Sequence, residues 1–143
     1  MITTDYNTTA IATLTSSGIR PSAQRIAILR YLMEHRTHPT VDEIFRALHP
    51  IYPTLSRTTV YNTLHLLVEG GTTMCLDIES GNARYDYAPE GPHAHFLCTG
   101  CHKIIDIFSP PVPHPSLLEG YKIDSTYTYY KGVCPDCLNK TND

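Results

Sequence analysis

Apolar residues in the first half of the chain recur at helical spacing between clear stop signals. Ile26, Leu29, Leu32 and Met33 form one such stripe, and Ser22 ahead of them can cap the helix by accepting an amide of its first turn. Thr40-Val41-Asp42-Glu43 has the pattern of a capping box, in which Thr40 and Glu43 satisfy orphan amides reciprocally. It predicts a helix that buries Ile44, Ala47 and Leu48 and stops at Pro50. Ser56 precedes a third stripe, Val60, Leu64 and Leu67, which Gly70-Gly71 ends. A weaker helix is predicted over Thr8 to Ser16. The period then changes: Thr72–Asp77 and Ala83–Tyr87 read as strands of a β-hairpin around a turn at Glu79-Ser80-Gly81-Asn82. Three helices followed by a hairpin is the order of a winged helix-turn-helix, whose last helix enters the major groove while the hairpin flanks it.

Ala88-Pro89-Glu90-Gly91-Pro92 has the composition of a linker. Beyond it, His95–Cys98 and Lys103–Ile107 suit short strands, and Ser109-Pro110-Pro111-Val112-Pro113 breaks the chain. Ser116–Glu119 reads as a short turn or helix, and Tyr121–Val133 as a β-rich run. The expected fold class is α+β: a winged-helix domain over residues 1–88, a hinge over 89–92, and a small α/β domain over 93–143.

With 143 residues, 41% of them hydrophobic and 17% charged, the chain suits one ordinary domain or two small ones. No apolar stretch approaches the roughly 18 residues needed to span a bilayer, so no membrane partner is expected. Met1-Ile2-Thr3-Thr4-Asp5 lacks the basic start and apolar run of a secretory signal, which predicts a cytoplasmic protein with reduced thiols. The net charge of -3 argues against a polyanion partner, but its distribution does not. Arg20, Arg25, Arg30, Arg36, Arg46 and Arg57 face only Glu34, Asp42 and Glu43 between Arg20 and His65, a local excess that can present a basic face.

Two C-x-x-C pairs, Cys98/Cys101 and Cys134/Cys137, can together complete a tetrahedral all-sulfur shell of the kind structural zinc takes. Disulfide or redox pairs use the same spacing. Residues 102–133 between the pairs outrun a compact zinc ribbon and must fold as a small domain pinned at both ends. On the third helix, Arg57, Thr58, Tyr61, Asn62 and His65 fall opposite Val60, Leu64 and Leu67. Arginine pairs with guanine or phosphate, asparagine with adenine, and tyrosine packs on a thymine methyl or bonds a phosphate; the bland alternative is a solvated polar face. A second constellation comprises His38, Asp86, His93, His95 and Asp106. His93-x-His95 on an extended segment sends both imidazoles to one side. Imidazole with carboxylate suits Fe(II), Mn(II) or Zn(II) rather than calcium. A His-x-His pair also arises readily by chance among eight histidines. The unpaired Cys75 reads as a small apolar residue of the wing, with a sensor thiol as the other reading.

The motifs in this order closely resemble the Fur family of bacterial metal-dependent repressors. The resemblance runs from about Gly18 to Cys137. It rests on Gly18-Ile19-Arg20 leading into Gln24–Leu29, on His38-Pro39-Thr40, Thr59–Leu64, Arg84-Tyr85-Asp86 and His93-Ala94-His95, and on both C-x-x-C pairs. Within the family the chain is most similar to the peroxide-sensing PerR branch, since Asp106 and Asn62 stand where Fur proteins typically carry glutamate and arginine. Pro92 and Ala94 interrupt the His-rich string of Fur, and Ser125-Thr126-Tyr127 stands where Fur has a further histidine, so Fur's additional metal site is not expected.

The resemblance implies a homodimer paired through its C-terminal domains and reading an AT-rich inverted repeat in double-stranded DNA. It implies structural Zn(II) on the four paired cysteines and a regulatory Fe(II) or Mn(II) on His38, Asp86, His93, His95 and Asp106. His38 and His93 are the expected oxidation-sensitive ligands. An iron- or other metal-responsive repressor without peroxide sensing shares much of this ligand set. Two other classes compete: a non-haem metal enzyme using His93, His95 and Asp106 as a facial triad, and a zinc-stabilised interaction module. The first lacks catalytic partners in the sequence; the second leaves the His/Asp set and the Arg57–His65 face idle.

Overall fold

A computed structural model describes residues 5–77, 81–89, 93–108, 114–123 and 126–141. Packing divides the chain into two compact units, Met1–Gly91 and Pro92–Asp143.

The first unit opens with helices α1 (Tyr6–Ser16), α2 (Ala23–Glu34), α3 (Val41–Leu48) and α4 (Arg57–Glu69). Each begins where a side-chain oxygen takes up an orphan amide: Asp5 accepts from Thr8, Ser22 from Arg25, Thr40 from Glu43 and Ser56 from Thr59. The Asp5 cap starts α1 two residues before the expected Thr8. Leu14, Ile28, Leu29, Ile44, Val60, Leu64 and Leu67 join in one buried core. On α2 the inner stripe includes Ala27 and Ile28, whereas Ile26 is only partly buried. Ala47 was expected inside and is exposed. The inner stripe of α3 runs through Ile44 and Leu48, with Val41 and Phe45 partly covered beside them, so Ala47 falls on the outer flank.

Strands β1 (Thr73–Leu76) and β2 (Arg84–Tyr87) form the hairpin, with Thr73 opposite Tyr87 and Leu76 opposite Arg84. Gly71, at φ +82°, takes the left-handed conformation in which the chain leaves α4. Tyr85 joins the helical core from β2.

The second unit holds β3 (Ala94–Cys98), β4 (Ile104–Ile107), β5 (Tyr129–Gly132) and helix α5 (Pro135–Thr141), with a 3-10 turn at Ser116–Leu118. The sheet order is β4-β3-β5, β3 being antiparallel to β4 and parallel to β5. The expected β-rich run over Tyr121–Val133 is mostly irregular among the described residues and narrows to Tyr129–Gly132. Helix α5 was not expected. Glu79 and Ser80 of the hairpin turn, residues 90–92 of the linker and the Ser109–Pro113 break lie outside the described residues. Among the described residues, no helix is long and apolar enough to cross a membrane.

Candidate metal centres

The parallel pairing of β5 beside β3 brings the two cysteine pairs together. Cys98 ends β3 opposite Gly132, so Cys134 arrives two residues later at the same end of the sheet, and α5 carries Cys137. Cys98 and Cys137 sulfurs lie 3.7 Å apart, and those of Cys101 and Cys134 3.9 Å. A tetrahedral shell with bonds of about 2.3 Å has edges of about 3.8 Å, so the spacing fits a four-sulfur site of the zinc type. The backbone N–H groups of Gly100, Cys101 and Cys134 donate to Cys98 Sγ at 3.3, 3.5 and 3.3 Å. The bonds from Cys101 and then Cys134 pull the Cys98 thiol down to about 5. Hydrogen bonding to the Cys134 and Cys98 sulfurs pushes Cys137 up to about 12. Four adjacent sulfurs cannot all carry charge unaided, and a bound divalent cation removes that conflict.

Gly100 is a residue the sequence reading passed over. A Cβ there would lie 3.0 Å from Cys137 Sγ and 3.2 Å from its Cβ. Glycine in the turn between the first two cysteines therefore leaves room for the close approach of Cys137. A glycine between two ligand cysteines was the available signal.

Of the His/Asp set, His38 and Asp86 belong to the first unit and His93, His95 and Asp106 to the second. In the first unit His38 Nε2 lies 3.9 Å from Asp86 Oδ1, with side-chain exposures of only 6% and 1%. His38 has φ +56°, left-handed for a non-glycine residue. Its loop is stitched to β2: Tyr85 N–H donates to Pro39 O at 2.9 Å, Arg84 Nη1 to His38 O at 3.5 Å, and Thr40 bridges to Arg84. Arg36 Nη2 donates to Tyr87 O at 2.7 Å and lies 3.9 Å from Asp86 Oδ1.

In the second unit the antiparallel register sets His95 opposite Asp106. Asp106 Oδ1 stands 3.3 Å from His93 Nε2 and 3.2 Å from His95 Nε2. The two imidazoles lie side by side, ring centroids 4.4 Å apart, and Phe108 packs on His93 at 4.5 Å. His95 is fully buried and the His93 side chain is 3% exposed. Two imidazoles converging on one carboxylate in a nearly dry setting suit a divalent transition ion.

The outer face of α4 presents Arg57, Thr58, Tyr61, Asn62 and His65, all exposed. Arg57 is already engaged: its Nε and Nη2 reach Asp42 Oδ1 at 3.0 and 2.9 Å, and its guanidinium lies 4.2 Å from the Phe45 ring centroid. Tyr61 stacks along His65, which pairs with Glu69 at 3.0 Å. Of the remaining histidines, His35 stacks on Tyr31 and His49 on Phe45. Cys75 is half-buried on β1, and burial pushes its thiol up despite a hydrogen bond with Tyr85 that opposes the shift. That environment belongs to a packed thiol rather than a reactive one.

Residues 16–125 match the ferric uptake regulator family. The peroxide-responsive repressor PerR of Staphylococcus aureus (strain Mu50) is 37% identical over 135 residues, covering 92% of this chain and 90% of that protein. The solved structure of PerR from Streptococcus pyogenes, described as a basis for peroxide sensing and gene regulation, is 30% identical. That match covers 94% of each chain with a TM-score of 0.53. The ferric uptake regulator Fur of Helicobacter pylori superposes with a TM-score of 0.67 at 21% identity, covering 93% of this chain and 91% of that one, a likeness of fold alone.

Proposed function

The chain belongs to the ferric uptake regulator family of metal-dependent transcriptional repressors, which bind operator DNA as dimers and are not enzymes; on that premise we propose that it is a cytoplasmic peroxide sensor. In this reading Cys98, Cys101, Cys134 and Cys137 hold structural zinc. His38, Asp86, His93, His95 and Asp106 hold one regulatory Fe(II) or Mn(II), three ligands of the second unit joining two of the first. The observation that carries the proposal is that both half-sets of ligands are organised, largely buried and chemically alike within their own units.

An ion taken by both half-sets favours one arrangement of the units over others, and operator affinity follows that arrangement by linkage. The Arg57–His65 face of α4 reads each half of an AT-rich inverted repeat. Asn62 and Thr58 are the base-reading candidates, and Arg57, held by Asp42, is suited to a phosphate. Dimerisation falls to the second unit, which exposes Leu117 at 85% and Tyr121 at 68% and ends its sheet on two edge strands, β4 and β5.

Bound Fe(II) would supply the electron that cleaves peroxide beside the ligand imidazoles. His38 and His93 are the residues proposed to gain oxygen. An imidazole so changed no longer serves as a ligand, and its half-set lets go. Mn(II), poor at this chemistry, leaves the same side chains intact. Peroxide treatment of the Fe(II) form should therefore add one oxygen mass to a peptide carrying His38 or His93, and the Mn(II) form should stay unmodified. Equal modification of both forms, or none with iron, rejects peroxide sensing and leaves a metal-responsive repressor.

A further inference from the structure

Asp86 is a carboxylate with 1% of its side chain exposed, and an arginine stands beside it. Arg36 Nη2 lies 3.9 Å from Asp86 Oδ1, the same oxygen that faces His38 Nε2 at 3.9 Å. The guanidinium is not drawn there by Asp86 alone. It donates to Tyr87 O at 2.7 Å, and its Cζ stands 5.4 Å from the Tyr87 ring centroid. Backbone and aromatic ring thus hold a permanent positive charge beside a proposed ligand.

An ionised carboxylate this deeply buried is costly unless a partner offsets its charge. An arginine is always charged, so Arg36 can supply part of that offset. A divalent ion arriving at Asp86 therefore meets a carboxylate already partly neutralised, and it is repelled by the guanidinium beside it. We propose that Arg36 is a resident counter-ion that sets the metal-affinity threshold of the regulatory site. It stabilises the metal-free state of Asp86 and weakens divalent metal binding there. The proposal rests on Asp86 being a ligand of the regulatory ion.

The test compares the zinc-loaded protein with Arg36→Gln and Arg36→Lys, titrating Mn(II) against a competing chelator and recording thermal midpoints with and without Mn(II). Gln keeps a donor for the Tyr87 carbonyl without the charge; Lys keeps the charge. The counter-ion role predicts Mn(II) binding about tenfold tighter in Arg36→Gln, about 1.4 kcal/mol, and close to wild type in Arg36→Lys. It also predicts a larger rise in thermal midpoint on Mn(II) addition for Arg36→Gln. Unchanged or weaker binding in Arg36→Gln overturns the proposal and assigns Arg36 to holding the end of β2. Asp86→Asn separates the two levels. If Mn(II) binding survives that change, the ligand assignment fails and the counter-ion role with it. If binding is lost there but unaltered in Arg36→Gln, only the role of Arg36 fails.

Discussion

Asp106 Oδ1 meets two imidazole nitrogens at 3.3 and 3.2 Å, and that reach depends on one methylene. Glutamate at this position moves the carboxylate outward by about one bond length while keeping its charge. Asp106→Glu should therefore retain metal-dependent operator binding but lose most of the oxygen added to His38 or His93 under peroxide. Mass spectrometry of the iron form reads this directly, and undiminished oxidation would count against the assigned geometry. Cys75 illustrates the opposite case, a residue whose surroundings remove it from chemistry. Its raised pKa leaves little thiolate at neutral pH, so alkylation by iodoacetamide should be slow in the native protein. Cys75→Ala should leave zinc content and metal-dependent DNA retention unchanged; rapid labelling or a lost peroxide response would restore the sensor-thiol reading. The His, Asp and Cys positions that the structure brings together within each unit were legible residue by residue. The left-handed backbone of His38 and the fixed Arg36 beside Asp86 were not, because both depend on how a loop meets a strand some 50 positions away.

Helix α4 joins core and proposed reading face in a single element, and each side has its own cost. Ser56 Oγ accepts from Thr59 N at 3.0 Å, so Ser56→Ala should cost about 1 kcal/mol of stability. Leu64 is fully buried in the helical core, and Leu64→Ala should cost about 2–5 kcal/mol. Urea titration followed by helical circular dichroism orders the two, and a reversed order would contradict the packing. The four helices were readable because caps and apolar spacing are local signals. Ala47 misled since in an eight-residue helix a one-step error in phase exchanges the flanks of the stripe. Helix α5 was hidden by the ligand pattern that overlies it, although Pro135 at its first position and Asp136 in its first turn are ordinary start signals. The parallel pairing of β5 with β3 has no local signature, since register between distant strands is set by what each end must bring together. Here those ends carry the cysteine pairs. The Arg57–Asp42 pair is of the same non-local kind, linking α4 to α3 across 15 positions.

The two units draw on different sources of stability. The buried apolar cluster that joins Leu14, Leu29, Ile44 and Leu64 lies wholly in the first. Among the described residues, the second buries only Leu97, Cys98 and Cys134 of its apolar side chains. A unit with so little interior would rely on the zinc proposed for its four cysteines, because the free energy of binding four thiolates is then free energy of folding. Stripping zinc with a thiol-directed mercurial and a chelator should therefore unravel the second unit and spare the first. Hydrogen exchange distinguishes the two: amides of β3 and β5, including Cys98 and the Gly132 pairing, should lose protection, while those of α2 and α4 keep theirs. Gly100→Ala should show a milder form of the same loss, since its new methyl would press on Cys137 Sγ at 3.0 Å and loosen the ion. Dimerisation and operator binding should disappear together with zinc, although every side chain proposed to face DNA sits on an intact helix. If the second unit kept its exchange protection without zinc, the cysteine cluster would be dispensable for the fold, and the ion's role would have to be sought in regulation instead.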